Sequence, residues 1–307
     1  MRVLVRADAS VNIGTGHIMR CLTLAEELVN SGFDIEFVCQ AVPDTLCNHI
    51  SKKGFYINRL DISHNDTSIF DWKNDAQATI DVLINKGNVD LLIIDHYGID
   101  KRWEQAVKPY VNRIMVIDDL ANRQHDCDIL LDQNYYHNME SRYKGLVPEQ
   151  CMLLLGLSYA LLRKEFFHVR NTLRVRDGNV KRLLICFGGS DPTNETAKAL
   201  EAMLNVRNQD VIVDVVIGGS NPNSYYYQDN FSRLENVNLH FGTNNMAELM
   251  AQADLAIGGG GITTWERCCV GLPSLVIAIA SNQVEVSQAA DDLGVLKYLG
   301  QAQEVDS

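Results

Sequence analysis

The chain has 307 residues, 46% of them hydrophobic and 21% charged. That is enough apolar material for two ordinary domains with separate cores, and too much for a disordered chain. A formal charge of −12 excludes a general nucleic-acid or membrane-surface binder, which needs a basic face to release counterions or meet anionic lipid. A phosphate ligand must then be held by local features. The start, Met1-Arg2-Val3-Leu4-Val5-Arg6-Ala7-Asp8, is too charged for a signal peptide. No later segment approaches the ~18 uninterrupted apolar residues of a membrane span, so a cytoplasmic protein without membrane insertion is expected. Eight cysteines (21, 39, 47, 127, 151, 186, 268, 269) show no C-x-x-C spacing for zinc or a redox pair, and are expected to be reduced, mostly buried thiols.

In chain order, a strand fits Arg2 to Arg6. A helix follows from about Gly16 to Asn30, its Ile18, Cys21, Leu22, Ala25 and Leu28 recurring at helical spacing and Gly32 ending it. Strands at Asp34 to Cys39, Asp90 to Ile94 and Arg113 to Ile117 alternate with helices at about Asn74 to Asn85 and Lys101 to Val107. This βαβ order predicts a parallel sheet. The polar stretch from His168 to Val180 ends in Asp177-Gly178-Asn179, a turn signal suited to a domain linker. The alternation then restarts, with strands at Lys181 to Phe187, Val211 to Ile217, Leu255 to Ile257 and Ser274 to Ile279. Helices are expected at about Thr193 to Leu204, Met246 to Ala253 and Thr263 to Val270. The pattern predicts two doubly wound α/β domains flanking a cleft: residues 1–167, a linker at 168–179, and residues 180–307. The last residues, Gln301 to Ser307, follow a strand without closing helices, as in a C-terminally truncated domain.

Ligands of open α/β sheets bind at the carboxyl ends of strands, where glycine turns and helix N-termini present N–H groups to an anion. Three such turns stand out: Gly14-Thr15-Gly16 before the first helix, Gly188-Gly189-Ser190-Asp191, and Gly258-Gly259-Gly260-Gly261. The first has Met19 where a dinucleotide fingerprint has its third glycine, and the next strand ends Val38-Cys39-Gln40 with no acid for a ribose. No P-loop is present either. Each turn alone also fits a tight strand-to-helix connection.

His17 is the sharpest single residue. In the first turn of a helix the dipole disfavours imidazolium and favours the neutral ring that a general base needs, although a packing or capping histidine is the bland alternative. The other histidines (49, 64, 96, 125, 137, 168, 240) are expected to be structural. In the second half, Thr263 and Thr264 with the glycines offer a hydroxyl and N–H groups to a pyrophosphate, and Glu266 can accept two hydrogen bonds from a ribose diol. Asp191-Pro192 also fits a helix N-cap and first turn. Strand-end carboxylates at Asp8, Asp95 and the Asp118-Asp119 pair are placed to bind hydroxyls or orient His17, with capping as the alternative. None forms a metal cluster by spacing.

Taken together, these segments resemble the UDP-2,4-diacetamido-2,4,6-trideoxy-β-L-altropyranose hydrolases of pseudaminic acid biosynthesis, relatives of the MurG-type glycosyltransferases with the GT-B fold. The resemblance runs almost end to end. It rests on Arg6-Ala7-Asp8, Ile13-Gly14-Thr15-Gly16-His17-Ile18-Met19-Arg20-Cys21, Asp75-Ala76, Ile94-Asp95-His96-Tyr97, Ile117-Asp118-Asp119-Leu120, Cys127-Asp128, Asp132-Gln133-Asn134 and Leu161 to Phe166. Further matches are Phe187 to Pro192, Gly260 to Glu266, and Asn282-Gln283. The resemblance implies that His17 is catalytic and that Asp8, Gly14, Gly16, Arg20, Asp95, Tyr97, Asn134 and Arg163 of the N-terminal domain bind sugar and diphosphate. It also implies that Gly188, Gly189, Asp191, Gly261, Thr263, Thr264, Glu266 and Gln283 bind UDP. No metal or cofactor is implied.

The leading expectation is hydrolysis of a UDP-sugar: His17 deprotonates a water that attacks the anomeric carbon, expelling UDP with inversion. The alternatives are a glycosyltransferase on the same fold and a non-catalytic sugar-nucleotide-binding protein of polysaccharide assembly. No apolar or basic docking patch for a lipid-linked acceptor is visible in the first domain. The residues alone fix neither the sugar nor the base, and oligomeric state stays open, with a monomer as the expectation.

Overall fold

A computed structural model describes residues 1–10, 14–62, 70–206 and 210–307. Ile13 and His64, both singled out in the sequence, lie outside the described residues. The chain forms two compact units, Met1–Ile13 with His17–Leu161, and Gly14–Gly16 with Leu162–Ser307.

The first unit is built on a parallel sheet of β1 (Arg2–Ala7), β2 (Asp34–Cys39), β3 (Tyr56–Arg59), β4 (Leu91–Asp95), β5 (Ile114–Ile117), β6 (Ile129–Asp132) and β7 (Met152–Leu155). Their order is β3-β2-β1-β4-β5-β6-β7. The chain winds outward from β1 to β3, then returns to the other side of β1 with β4, so the order reverses between β1 and β4. Such a reversal opens a crevice at the carboxyl ends of the two strands, and here it sets Ala7 beside Asp95 in register.

Side chains of β1 alternate between two cores, as the period of a strand requires. Val3, Val5 and Ala7 pack on Ile18, Cys21, Leu22 and Ala25 of α1 (Gly16–Asn30). Leu4 faces α3 (Trp72–Lys86) and α4 (Lys101–Val107) through Ile80, Leu83, Trp103 and Val107. Gly32, at φ 84°, ends α1, and the N–H of Phe33 turns back to the carbonyl of Leu28. The Asp71 carboxylate caps α3 by accepting from the N–H groups of Lys73 and Asn74, a contribution of about 1 kcal/mol. A shorter helix, α2 (Asp44–Lys52), joins β2 to β3.

The second unit repeats the plan. Strands β8 (Arg182–Cys186), β9 (Ile212–Ile217), β10 (Val237–Phe241), β11 (Leu255–Gly259), β12 (Ser274–Ala278) and β13 (Lys297–Gln301) are parallel in the order β10-β9-β8-β11-β12-β13. Helices α6 (Glu195–Asn205), α7 (Ser224–Phe231), α8 (Met246–Gln252), α9 (Thr263–Cys269) and α10 (Val284–Asp292) connect them. The reversal falls between β8 and β11, with Cys186 beside Gly258. Both glycine turns of this half therefore lie at adjacent strand ends.

The stretch 168–179, expected as a linker, is tied down instead. It begins within α5 (Lys164–Arg170), and Arg176 donates to the carbonyls of Met250, Ala253, Val270 and Gly271. Arg174 pairs with Asp254. Its basic side chains serve the carbonyls at the C-terminal ends of α8 and α9.

Candidate active site

At the crevice of the first unit, His17 is the second residue of α1 and Arg20 lies one turn further on the same face. Asp95 closes β4 and is fully buried. One Asp95 oxygen meets Nδ1 of His17 and accepts from Nη2 of Arg20 at 2.7 Å, and the other accepts from Nε of Arg20 at 2.6 Å. Arg20 reaches on with Nη1 to Asp119, just past β5, at 2.9 Å. The Tyr97 hydroxyl donates to the second Asp119 oxygen at 2.7 Å, and its ring stands edge-on to His17 with centroids 4.5 Å apart.

The electrostatics follow from burial. Burial alone would push the Asp95 carboxyl up, but Arg20 and then His17 hold it well below the usual carboxylate range. Asp95 is therefore ionised and can only accept, so the imidazole proton faces it from Nδ1. In the neutral ring Nε2 then carries the lone pair. This is the base-and-orienting-acid arrangement recognised by geometry in nucleophilic and general-base sites.

A second layer was not foreseen from the residues. Tyr136 and Arg142 donate to the carbonyl of Asp119, and the Tyr143 hydroxyl donates to the Asp118 carbonyl and the Asp132 carboxylate. The Arg142 guanidinium stacks on the Tyr136 ring at 3.5 Å. Burial pushes Asp132 up to about 7, with the charge of Asp119 adding to the effect. Asn134, at the end of β6, donates its N–H to Asp132. The Asp132-Gln133-Asn134 segment was visible in the sequence; the bracing from residues 136–143 had no local signal.

Other residues expected here carry structural work. Asp8 accepts from the N–H groups of Gln40 and Ala41 and pairs with the buried Arg6, which also bonds Asp75. Asp118 is taken up by Arg123 and by the N–H groups of Leu120 and Ala121. Gly14 adopts φ 81°, open to glycine at little cost. Arg163, like Gly14 and Gly16, belongs to the second unit, not the first as expected: its Nε donates to Glu266 and its Nη1 to Glu165.

In the second unit, Gly260 must be glycine, because a Cβ would lie 2.4 Å from Ser287 Oγ. Gln283 Oε1 accepts from the N–H of Gly260 and of Ile279, pinning the turn. Arg267 is 2% exposed, and it donates to neutral oxygens: Gly259 O at 2.9 Å, Thr264 Oγ1 at 3.1 Å and Thr263 Oγ1 at 3.2 Å. Burial lowers its pKa. Beside it, Oε2 of the buried Glu266 has no hydrogen-bond partner among the described residues, which is costly unless a ligand donates to it. At the other turn, Gly188 takes φ 83° and Gly189 sits against Gly218, whose Cβ would lie 2.2 Å from the Gly189 carbonyl. Asp191, expected among the UDP-binding groups, instead accepts from the N–H groups of Glu195 and Thr196 at 2.9 Å each. Its carboxylate already fills the start of α6, so this helix end carries negative charge.

Among the described residues no helix is long and apolar enough to cross a membrane, and no group of three His, Cys, Asp or Glu side chains is placed to hold a metal ion.

No protein-family model matches the chain. It is 28% identical over 298 residues to an uncharacterised protein of Methanocaldococcus jannaschii, covering 93% of this chain and 57% of that one; the chain thus spans little over half of that relative's length. Among solved structures it resembles Acinetobacter baumannii MurG, with a TM-score of 0.62 at 14% identity over 98% of this chain and 86% of that one. The Neisseria meningitidis UDP-GlcNAc 2-epimerase is similar at a TM-score of 0.57 and 18% identity, covering 99% and 88%. These establish two Rossmann-like domains of the GT-B kind. The UDP-2,4-diacetamido-2,4,6-trideoxy-β-L-altropyranose hydrolase of Campylobacter jejuni is 32% identical over 259 residues, 84% of each chain, and this protein belongs to that family.

Proposed function

We propose that the protein hydrolyses a UDP-activated sugar of the diacetamido trideoxy altrose class, releasing free sugar and UDP for pseudaminic acid biosynthesis. The observation that carries the reading is the His17–Asp95–Arg20 cluster. A buried, ionised carboxylate holds one imidazole nitrogen, leaving Nε2 to take a proton from water, which is what a hydrolase needs and a passive binding site does not.

In this reading the water activated by His17 attacks the anomeric carbon, the C–O bond to the diphosphate breaks, and the configuration inverts. Arg20 is shared between Asp95 and Asp119 and offsets part of their charge, so the pair repels an anionic substrate less than two bare carboxylates would. The Tyr97 hydroxyl, Asn134 and the Gly14 and Gly16 backbone are the groups assigned to sugar and diphosphate. The second unit takes UDP. The N–H groups around Gly261, the Thr263 and Thr264 hydroxyls and the buried Arg267 charge stabilise the departing diphosphate, and Glu266 Oε2 accepts from the ribose. Gly188, Gly189 and Gln283 shape the two turns. Asp191 acts on this site through α6, not by touching the nucleotide.

The test is the purified protein against a panel of UDP-sugars with no acceptor, quantifying free sugar and UDP together. Equimolar release of both supports the hydrolase. Release only when an acceptor is added would make it a transferase, and tight UDP binding without turnover would make it a binding protein.

A further inference from the structure

The mechanism leaves one pair of reactive groups unused. Cys127 and Cys151 are 24 residues apart, just before the paired strands β6 and β7, in which Ile129 faces Met152. Extending that register sets Cys151 opposite Asp128 and Cys127 on the diagonal; with strands about 4.8 Å apart and a rise of about 3.3 Å per residue this is roughly 6 Å between Cα atoms, inside the spacing that a disulfide accepts. Their sulfurs lie 3.7 Å apart in thiol–thiol contact.

The two thiols differ in access. Cys127 is 2% exposed, whereas Cys151 is only partly buried. We infer that Cys127 and Cys151 form a reversible oxidation site, in which Cys151 is the attacking thiol and Cys127 the resolving one, for low-molecular-weight disulfides of the glutathione class.

The hydrogen bond from Cys127 lowers the Cys151 thiol, although burial and the carboxylates of Asp128 and Glu104 act against it, while the same contact and burial push Cys127 up. The other cysteines offer no equivalent. Cys21, Cys39, Cys47, Cys186 and Cys269 are buried. Cys268 is partly exposed, but burial raises its thiol.

The reaction balances as two exchanges. The Cys151 thiolate attacks glutathione disulfide, forming a mixed disulfide and releasing one glutathione thiolate. Cys127 then loses its proton to solvent and attacks the Cys151 sulfur, releasing the second glutathione and leaving a Cys127–Cys151 disulfide. Two electrons pass from the protein thiols to the oxidant, and a thiol reductant reverses both steps. The bond would close a loop containing β6 and residues 133–150, the segment whose Tyr136, Arg142 and Tyr143 brace Asp119 and Asp132. It lies at the amino ends of the strands, away from the crevice at their carboxyl ends.

The experiment treats the reduced full-length protein with glutathione disulfide and maps its cysteines without reduction. The expected product is a Cys127–Cys151 disulfide formed before any change at Cys268. C127S should stop at a glutathione adduct on Cys151, and C151S should give neither species. The oxidised wild type should melt roughly 5 °C or more above the reduced form. Earlier modification of Cys268, or a stable Cys151 adduct in the wild type with Cys127 still free, overturns the inference. The wild-type map decides the matter even if a variant folds poorly.

Discussion

His17 and Asp95 meet through Nδ1 and a fully buried carboxylate, and Arg20, three residues along the same helix, grips that carboxylate with two nitrogens. The histidine is thus held by a group that can only accept. Replacing Asp95 with Asn should remove the preference for the Nδ1 proton and lower kcat by about 100-fold or more while UDP affinity changes little. Steady-state kinetics with calorimetric UDP binding checks this; kcat within a few-fold of wild type would detach Asp95 from the mechanism.

Asp95→Ala should behave differently from Asp95→Asn. It leaves the Arg20 guanidinium buried with only Asp119 as its charged partner, and breaking such a pair costs about 3–5 kcal/mol. Chemical denaturation should therefore show a large loss for D95A and a smaller one for D95N. Asn also lacks the charge but keeps an oxygen that can accept from Arg20, so equal losses would mean that charge alone, and not hydrogen bonding, holds the cluster.

Arg267 makes the opposite case. Its bonds are to neutral oxygens, so Arg267→Met should cost little stability or even raise it, while weakening UDP binding about 10-fold or more because the charge serves an anion. Arg267→Lys should recover part of that affinity. Unchanged UDP binding in R267M would remove the side chain from diphosphate recognition.

Asp191→Ala tests a capping role. Loss of two N–H contacts at the start of α6 should lower stability by about 1–2 kcal/mol, with UDP affinity nearly unaffected in protein that stays folded. A specific loss of UDP binding, with the melting temperature preserved, would return Asp191 to the nucleotide site.

Asp132 gives a pH signature. Burial pushes its carboxyl up to about 7, above the value near 4 of an unfolded aspartate, so the folded protein binds this proton more tightly. Its contribution to stability is full below about pH 4 and is lost as pH rises through about 7. Relative to wild type, Asp132→Asn should therefore gain stability between pH 5 and 8, on the order of a kcal/mol or more, in denaturation curves run across that range. A constant difference would place Asp132 in an ordinary ionised state.

Much of this was legible in the chain. The α1 periodicity, its Gly32 stop and most strands of both sheets follow from apolar runs dense enough to be read locally. Elements were missed as well, α2, β10 and α10 among them, and several of the others have weak signals. Tyr56–Arg59 is a half-exposed edge strand, α7 is rich in tyrosine and asparagine, and β6 and β7 are short apolar runs of four residues each. His17 was recognisable from its place after the glycine turn, and Asp95 as a strand-end acid. That they touch depends on β4 lying beside β1, a long-range fact. The same limit explains Arg163 and Asp191: local sequence showed a basic residue and an acid near turn signals, while the pairing with Glu266 and the contacts to the first turn of α6 come from the fold. Tyr136, Arg142 and Tyr143 reach the strand ends from a long loop without periodicity.

The central claim is that His17 directs water to the anomeric carbon. Hydrolysis in ¹⁸O-enriched water, with both products analysed by mass spectrometry, tests it most directly. The account predicts label in the released sugar and none in UDP, with the reaction abolished in His17→Leu although UDP still binds. Label in the UDP phosphate, or undiminished turnover in that variant, would contradict it.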